Sequence, residues 1–194
     1  MDQEAVLQEF RDAEALLEGH FKLSSGLHSS VYLQCARVLM DPKRAERLCK
    51  AFADKLKATG VEIDMVVSPA MGGVIVGYEV ARQLGVIGIF TERVDGEFAL
   101  RRGFEIPQGA RILMMEDVIT TGLSSRECIK TINEWGGNVV AAGCLINRSG
   151  GKVDVGAPIT ALVTIEAPTY KPEELPEDLK AIPAIKPGSR GLKA

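Results

Sequence analysis

Apolar positions along the chain follow two different periods, and the switches between them mark out the elements. From residue 2 to residue 17, Val6, Phe10, Ala13, Leu16 and Leu17 recur at helical spacing, which predicts an amphipathic helix stopped by Gly19. Asp41-Pro42 supplies an N-cap and a first-turn proline for a second helix, with Ala45, Leu48, Cys49, Phe52 and Leu56 on one face and Gly60 closing it. Met65 to Ser68 then reads as a strand, Gly72 to Leu84 as a helix after a Gly-Gly turn, and Val86 to Thr91 as a strand. Ile112 to Met115 is an unbroken apolar run without the alternation of a half-solvated strand, so it predicts a strand buried on both faces. The helix after it has Ser124 and Glu127 at capping-box spacing, Ile129 and Ile132 on one face, and Gly136-Gly137 at its end. Asn138 to Asn147 and Ile159 to Ile165 supply two further strands.

Alternating apolar runs and helices predict an α/β fold, a central mostly parallel sheet flanked by helices, preceded by a small N-terminal unit over about residues 1–40. No repeat, low-complexity tract or boundary divides residues 1–194, which read as a single domain. Ala167 to Ala194 holds five of the nine prolines with mixed charge and reads as a surface tail with at most one short helix. Glu92 to Gly109 lacks apolar periodicity and reads as a long polar loop, a kind of segment that is usually functional or disordered.

Composition narrows the class. With 46% hydrophobic and 25% charged residues, the chain reads as soluble and globular. Its longest apolar runs fall far short of a membrane span, and Met1-Asp2-Gln3-Glu4 is acidic where a secretion signal would be basic, so a cytoplasmic location and no membrane partner are expected. Cys35, Cys49, Cys128 and Cys144 are widely spaced and form neither a redox pair nor a zinc motif; they read as reduced thiols. A net charge of −3 argues against nucleic acid as a partner. A small anionic substrate would still need local positive charge.

The chemistry concentrates at residues 112–125. The buried strand delivers Glu116 and Asp117 to the C-terminal edge of the sheet, where such folds bind ligands. Four carboxylate oxygens there can accept hydrogen bonds from vicinal sugar hydroxyls. Thr120 to Ser124 present hydroxyls and backbone N–H groups to a phosphate at the positive end of the next helix. The segment lacks the Gly-x4-Gly-Lys-Ser/Thr pattern of a Walker loop. Read piece by piece, the acids could merely solvate a strand end and Ser124 merely cap a helix; the order of the parts favours a phosphosugar site.

An apolar strand, two acids, two further residues and a Thr-rich turn with Gly together resemble the signature of the phosphoribosyltransferase family. The resemblance implies a type I phosphoribosyltransferase-like fold with an N-terminal hood, and a site for phosphoribosyl pyrophosphate at Glu116, Asp117, Val118, Ile119, Thr120, Thr121, Gly122, Leu123 and Ser124. Asp117 would orient the ribose. Phe21 to Tyr32, with Phe21, Leu23, Ser25-Gly26 and Ser29 followed by an aromatic residue, resembles the N-terminal element of the orotate-specific branch. In that branch Arg148 and Thr120 contact orotate, and the backbone near Ser25 and Gly26 closes the pocket. The equivalent of residues 92–109 is a mobile loop that brings cations to the pyrophosphate of the neighbouring subunit's site. Here it contains Arg93, Arg101 and Arg102 but neither Lys nor His. Those arginines, with Mg²⁺ held mainly by substrate oxygens rather than by protein ligands, are expected to stabilise the leaving group, Arg101 and Arg102 counting as catalytic with Asp117. The turn Ser68-Pro69-Ala70-Met71-Gly72-Gly73 has two readings: its N–H groups bind the pyrophosphate, as the family's corresponding loop does, or its Pro and Gly simply end a strand and start a helix; its place on the expected edge favours the first. A homodimer with sites shared across the interface is implied. Transfer to another nucleobase, or a phosphoribosyl-pyrophosphate-sensing regulator on the same fold, are the alternatives.

Overall fold

The computed structural model describes residues 1–23 and 26–186, which form two sheets. Helix α1 (Gln3–Asp12) is capped by Asp2, whose carboxylate accepts from the Ala5 N–H at 2.8 Å, and it buries Val6, Leu7 and Phe10. The helix ends sooner than its apolar spacing suggests. Glu14 adopts φ 50°, which turns the chain, and Leu16 and Leu17 belong to strand β1 (Leu16–Lys22), antiparallel to β2 (His28–Leu33). Pairing with β2 overrides the helical spacing of those two leucines. After the short α2 (Cys35–Leu39), α3 (Pro42–Lys57) starts where the sequence places it, with the Asp41 carboxylate accepting from the N–H groups of Lys43 and Arg44.

The larger sheet is assembled from β3 (Met65–Pro69), α4 (Gly72–Leu84), β4 (Ile87–Val94), β5 (Glu97–Ala99), β6 (Arg111–Ile119), α5 (Leu123–Glu134), β7 (Asn138–Asn147) and β8 (Ile159–Thr164). Its order is β5-β4-β3-β6-β7-β8, parallel except for the β4–β5 hairpin. β3 is followed in sequence by β4 on one side and then by β6 on the other, so the strand order reverses between β3 and β6. The carboxyl ends of those two strands therefore flank the natural ligand crevice of such a sheet. β6 explains the apolar run: Leu113 and Met115 join one core while Ile112 and Met114 join the other, all four fully buried. Each such side chain stabilises the fold by roughly 1.5–3 kcal/mol.

Residues 92–109 are not one irregular loop. β4 continues through Val94, Asp95 and Gly96 turn with positive φ, and β5 returns, the geometry that two-residue hairpins require. Phe98, Leu100 and Ile106 are buried, and the Phe98 carbonyl accepts from the Thr131 hydroxyl of α5. The C-terminal segment is likewise more ordered than a surface tail. β9 (Thr169–Tyr170) adds a third strand to the small sheet, α6 (Glu177–Lys180) buries Leu179, and Ile185 bridges to Phe21. Trp135 at the end of α5 and Tyr78 on α4 are exposed at 52% and 70%.

Candidate active site

A cleft of about 670 Å³ opens between β3 and β6, lined by the 69–73 turn, Glu92 and Arg93 of β4, Phe98, Glu116, Asp117 and Ser124. The acid pair forms its floor. Asp117 accepts from the Val118 N–H at 2.9 Å and from the Cys35 thiol, and burial raises its pKa. Glu116 is buried, accepts a short hydrogen bond from the Ser125 hydroxyl, and is pushed up to about 7 by that burial. The turn comes unusually close: a Cβ on Gly72 would lie 3.1 Å from both Asp117 oxygens. A side chain at that position would crowd the acid and whatever it holds.

The phosphate end differs from the sequence reading in one informative way. Ser124 does not cap α5, and Glu127 does not close a capping box; the N-cap is Gly122, in the left-handed conformation, with no side-chain cap bond. Glu127 instead meets Arg93 at 2.5 Å. Leu123 N–H reaches the Thr121 hydroxyl only at 3.4 Å. The first turn of α5 thus keeps N–H groups available to an anion, which suits phosphate better than a capped helix would. Gly122 is needed for space as well as conformation, since its Cβ would fall 2.8 Å from Val153 and Val155. Thr120, Thr121 and Leu123 are exposed beside it, Ser124 is half-buried and Val118 is half-buried. Ile119 is a core residue packed with Cys144 and Ala161, and its carbonyl accepts the Arg148 N–H, so its part is to hold the strand end rather than to reach a ligand.

Arg148 leaves the end of β7 and runs beneath the hood strand β2. Its Nη2 donates to the Ser29 hydroxyl at 3.3 Å and the Val31 carbonyl at 3.2 Å, and its Nε is buried without a partner. Only 8% exposed and with no carboxylate against it among the described residues, it has its pKa lowered by desolvation. Cys35 lies between Arg148 and Asp117 in electrostatic terms, its thiol feeling both and bonding to Asp117. Gly26 is half-buried in the turn between β1 and β2; Ser25 lies outside the described residues.

The three arginines of the 92–109 segment separate. Arg93 stands at the cleft mouth, stacked 4.1 Å from the Phe98 ring centroid and bonded to the Gly96 carbonyl as well as to Glu127. Arg102 is engaged by a two-pronged ion pair with Glu92 and lies over Phe90, and it does not itself line the cleft. Arg101 is exposed outside the cleft. A single subunit therefore brings one of the three to its own site. Ser125, invisible as a candidate in the sequence, is fully buried against Glu116. The lone histidines pair with each other, His20 Nε2 lying 2.5 Å from His28 Nδ1, and His20 Nδ1 lies 2.8 Å from the Ile182 carbonyl, which pins the C-terminal segment to the hood.

A switch-point crevice with two adjacent acids, one buried and one half-buried, on one side and an uncapped, Gly-led helix start on the other is the arrangement of phosphoribosyl transfer. The phosphoribosyl transferase domain family matches residues 38–178, and the chain belongs to that family. Within it, the chain is similar over its full length to orotate phosphoribosyltransferases. The one from Maricaulis maris is 56% identical, covering 99% of this chain and 100% of the relative. The one from Rhizorhabdus wittichii is 59% identical with complete coverage of both. Among solved structures, the orotate phosphoribosyltransferase of Aeropyrum pernix matches with a TM-score of 0.68 at 24% identity, over 82% of this chain and 93% of that one. An adenine phosphoribosyltransferase from Saccharomyces cerevisiae matches with 0.62 at 19% identity, over 82% and 99%. The fold is thus shared between base specificities, and the base must be read from the site and the full-length relatives.

Proposed function

We propose that this site transfers the 5-phosphoribosyl group from phosphoribosyl pyrophosphate to orotate, giving orotidine 5′-monophosphate and pyrophosphate. The observation that carries the base assignment is Arg148, a buried guanidinium with a free Nε and no carboxylate partner, on a chain whose full-length relatives bear the orotate name. Burying an unpaired cation is costly, and an anionic planar base would supply the missing charge. Thr120 and the backbone at Gly26 complete the base pocket in this reading.

In the reaction, N1 of orotate bonds to C1 of the ribose as the C1–O bond to pyrophosphate breaks; the bonding electron pair leaves with pyrophosphate, whose oxygens take up the proton lost from N1. Positive charge grows on the ribose, so the work of the protein is positioning and electrostatics. Glu116 and Asp117 accept the ribose hydroxyls, the 120–124 turn and the start of α5 hold the 5′-phosphate, and Arg93 with the 69–73 turn faces the pyrophosphate. Among the described residues no cluster of three or more His, Cys, Asp or Glu could hold a metal. The hard oxygens of pyrophosphate and ribose are suitable Mg²⁺ donors, and the ion would add positive charge at the leaving group. Steady-state assays with orotate, uracil, hypoxanthine and xanthine against phosphoribosyl pyrophosphate test the assignment: turnover with orotate alone is expected, and preference for any other base overturns it.

The working unit in this reading is a homodimer. Met71 at the N-cap of α4, with Ile75 and Tyr78 on the helix, makes a stripe exposed at 83%, 51% and 70%, and Ile87 at the start of β4 is 65% exposed. An apolar stripe that begins in the cleft turn itself suits a second copy of the chain. Arg101, unused in its own subunit, would then reach the partner's pyrophosphate. Mixing Asp117→Asn subunits with Arg101→Ala subunits should restore activity towards about a quarter of wild type, because half of the randomly formed dimers would carry one intact site. No recovery, with heterodimers confirmed by mass, would show that each site works within one subunit. No helix among the described residues is long and apolar enough to cross a membrane. The net charge of −3 and the small-molecule site favour a cytoplasmic enzyme without nucleic-acid partners.

A further inference from the structure

Resting on that reading, we infer that Ser125 is a positioning residue for the transfer: its hydroxyl fixes one oxygen of Glu116 so that the other faces the ribose. Ser125 is 0% exposed and donates to Glu116 Oε2, while Glu116 itself lines the cleft. Ser125 sits three residues after Gly122, on the same first turn of α5 that would receive the 5′-phosphate. One rigid helix thereby ties the phosphate cradle to the ribose acid. A buried carboxylate needs donors to remain ionised, and the side-chain hydrogen bond that Glu116 receives comes from Ser125.

The other groups around Glu116 do not replace this bond. Asp117, its neighbour on β6, opposes its charge; Arg93 of β4 favours it but is engaged by Glu127 and Gly96. Cys128 of α5 and Cys144 of β7 are neutral thiols held up to about 12. Thr91 of β4 is directed to the Cys128 sulfur at 3.5 Å. Removing the Ser125 hydroxyl therefore withdraws a donor from the carboxylate and raises the pH at which Glu116 ionises.

The test is Ser125→Ala, which shortens a buried side chain by one oxygen at a helical position and is expected to fold. Its kcat/KM for phosphoribosyl pyrophosphate should fall about tenfold at neutral pH, the loss expected for one hydrogen bond to a charged group. The KM for orotate should hardly move, and the acid limb of the pH profile should shift to higher pH. In a Glu116→Gln background the same substitution should add little, because both changes act on one interaction. An unchanged acid limb, or a full-size Ser125→Ala effect in the Glu116→Gln background, overturns the inference. Wild-type turnover with orotate in the same assay keeps that outcome distinct from failure of the functional assignment.

Discussion

Asp117→Asn is expected to reduce kcat by about 100- to 1000-fold, the range seen when a single preorganised electrostatic group is removed from an active site. The change preserves volume and retains an oxygen able to accept the Val118 N–H, which now meets Asp117 at 2.9 Å. What it removes is charge. Burial raises the Asp117 pKa above its ordinary value, so the folded state disfavours the ionised carboxylate relative to the unfolded chain. A carboxyl with a raised folded-state pKa reduces stability at pH values where it ionises, and an amide escapes that penalty. Thermal unfolding of Asp117→Asn should therefore occur at or above the wild-type temperature while turnover collapses. Near-normal turnover would reject the role of Asp117, and a large fall in melting temperature would show that the acid serves the fold instead. Retaining a destabilising buried charge is the signature of a residue kept for function.

The legible parts of this site were those in which local chemistry and topology coincide. β6 was readable because Ile112 to Met115 must be buried on both faces, and its carboxyl end had to carry Glu116 and Asp117 to the crevice. α3, α4 and β7 were equally clear, from a Pro-led cap, a Gly-Gly start and a long apolar run. The β4–β5 hairpin was hidden because Glu92, Arg93, Asp95 and Glu97 mask the alternation that buries Phe98 and Leu100, although Asp95-Gly96 is a strong turn signal. Glu127 misled for a different reason: its spacing from Ser124 fits a capping box, but Arg93, distant in sequence, offers a charged partner. Ser125 could not be found at all from spacing, since its value depends on which face of α5 meets β6. The β9 strand and the Ile185 bridge were unreadable for the same reason, being short pairings that exist only because the hood strands are already in place.

Arg148→Ala should raise the KM for orotate by the equivalent of roughly 2–5 kcal/mol, at least about thirtyfold, while the KM for phosphoribosyl pyrophosphate changes little. The asymmetry comes from where the guanidinium sits. It bonds to Ser29 and Val31 beneath the hood strand β2 rather than to the 120–124 turn, and nothing in the described chain neutralises it. In the free protein its removal sacrifices two long hydrogen bonds but also relieves a desolvated cation, so the melting temperature should change only modestly. With orotate present the two proteins should diverge: ligand that binds only the folded state raises the wild-type melting temperature, and that increment should be absent in Arg148→Ala. Arg148→Lys should recover only part of the affinity, because an ammonium keeps the charge but loses the planar fork that can contact a carboxylate and the hood together. Equal increases in both Michaelis constants would mean that Arg148 supports the cleft as a whole. An orotate-induced thermal shift that survives the substitution would place the base against other residues, even if catalysis were lost.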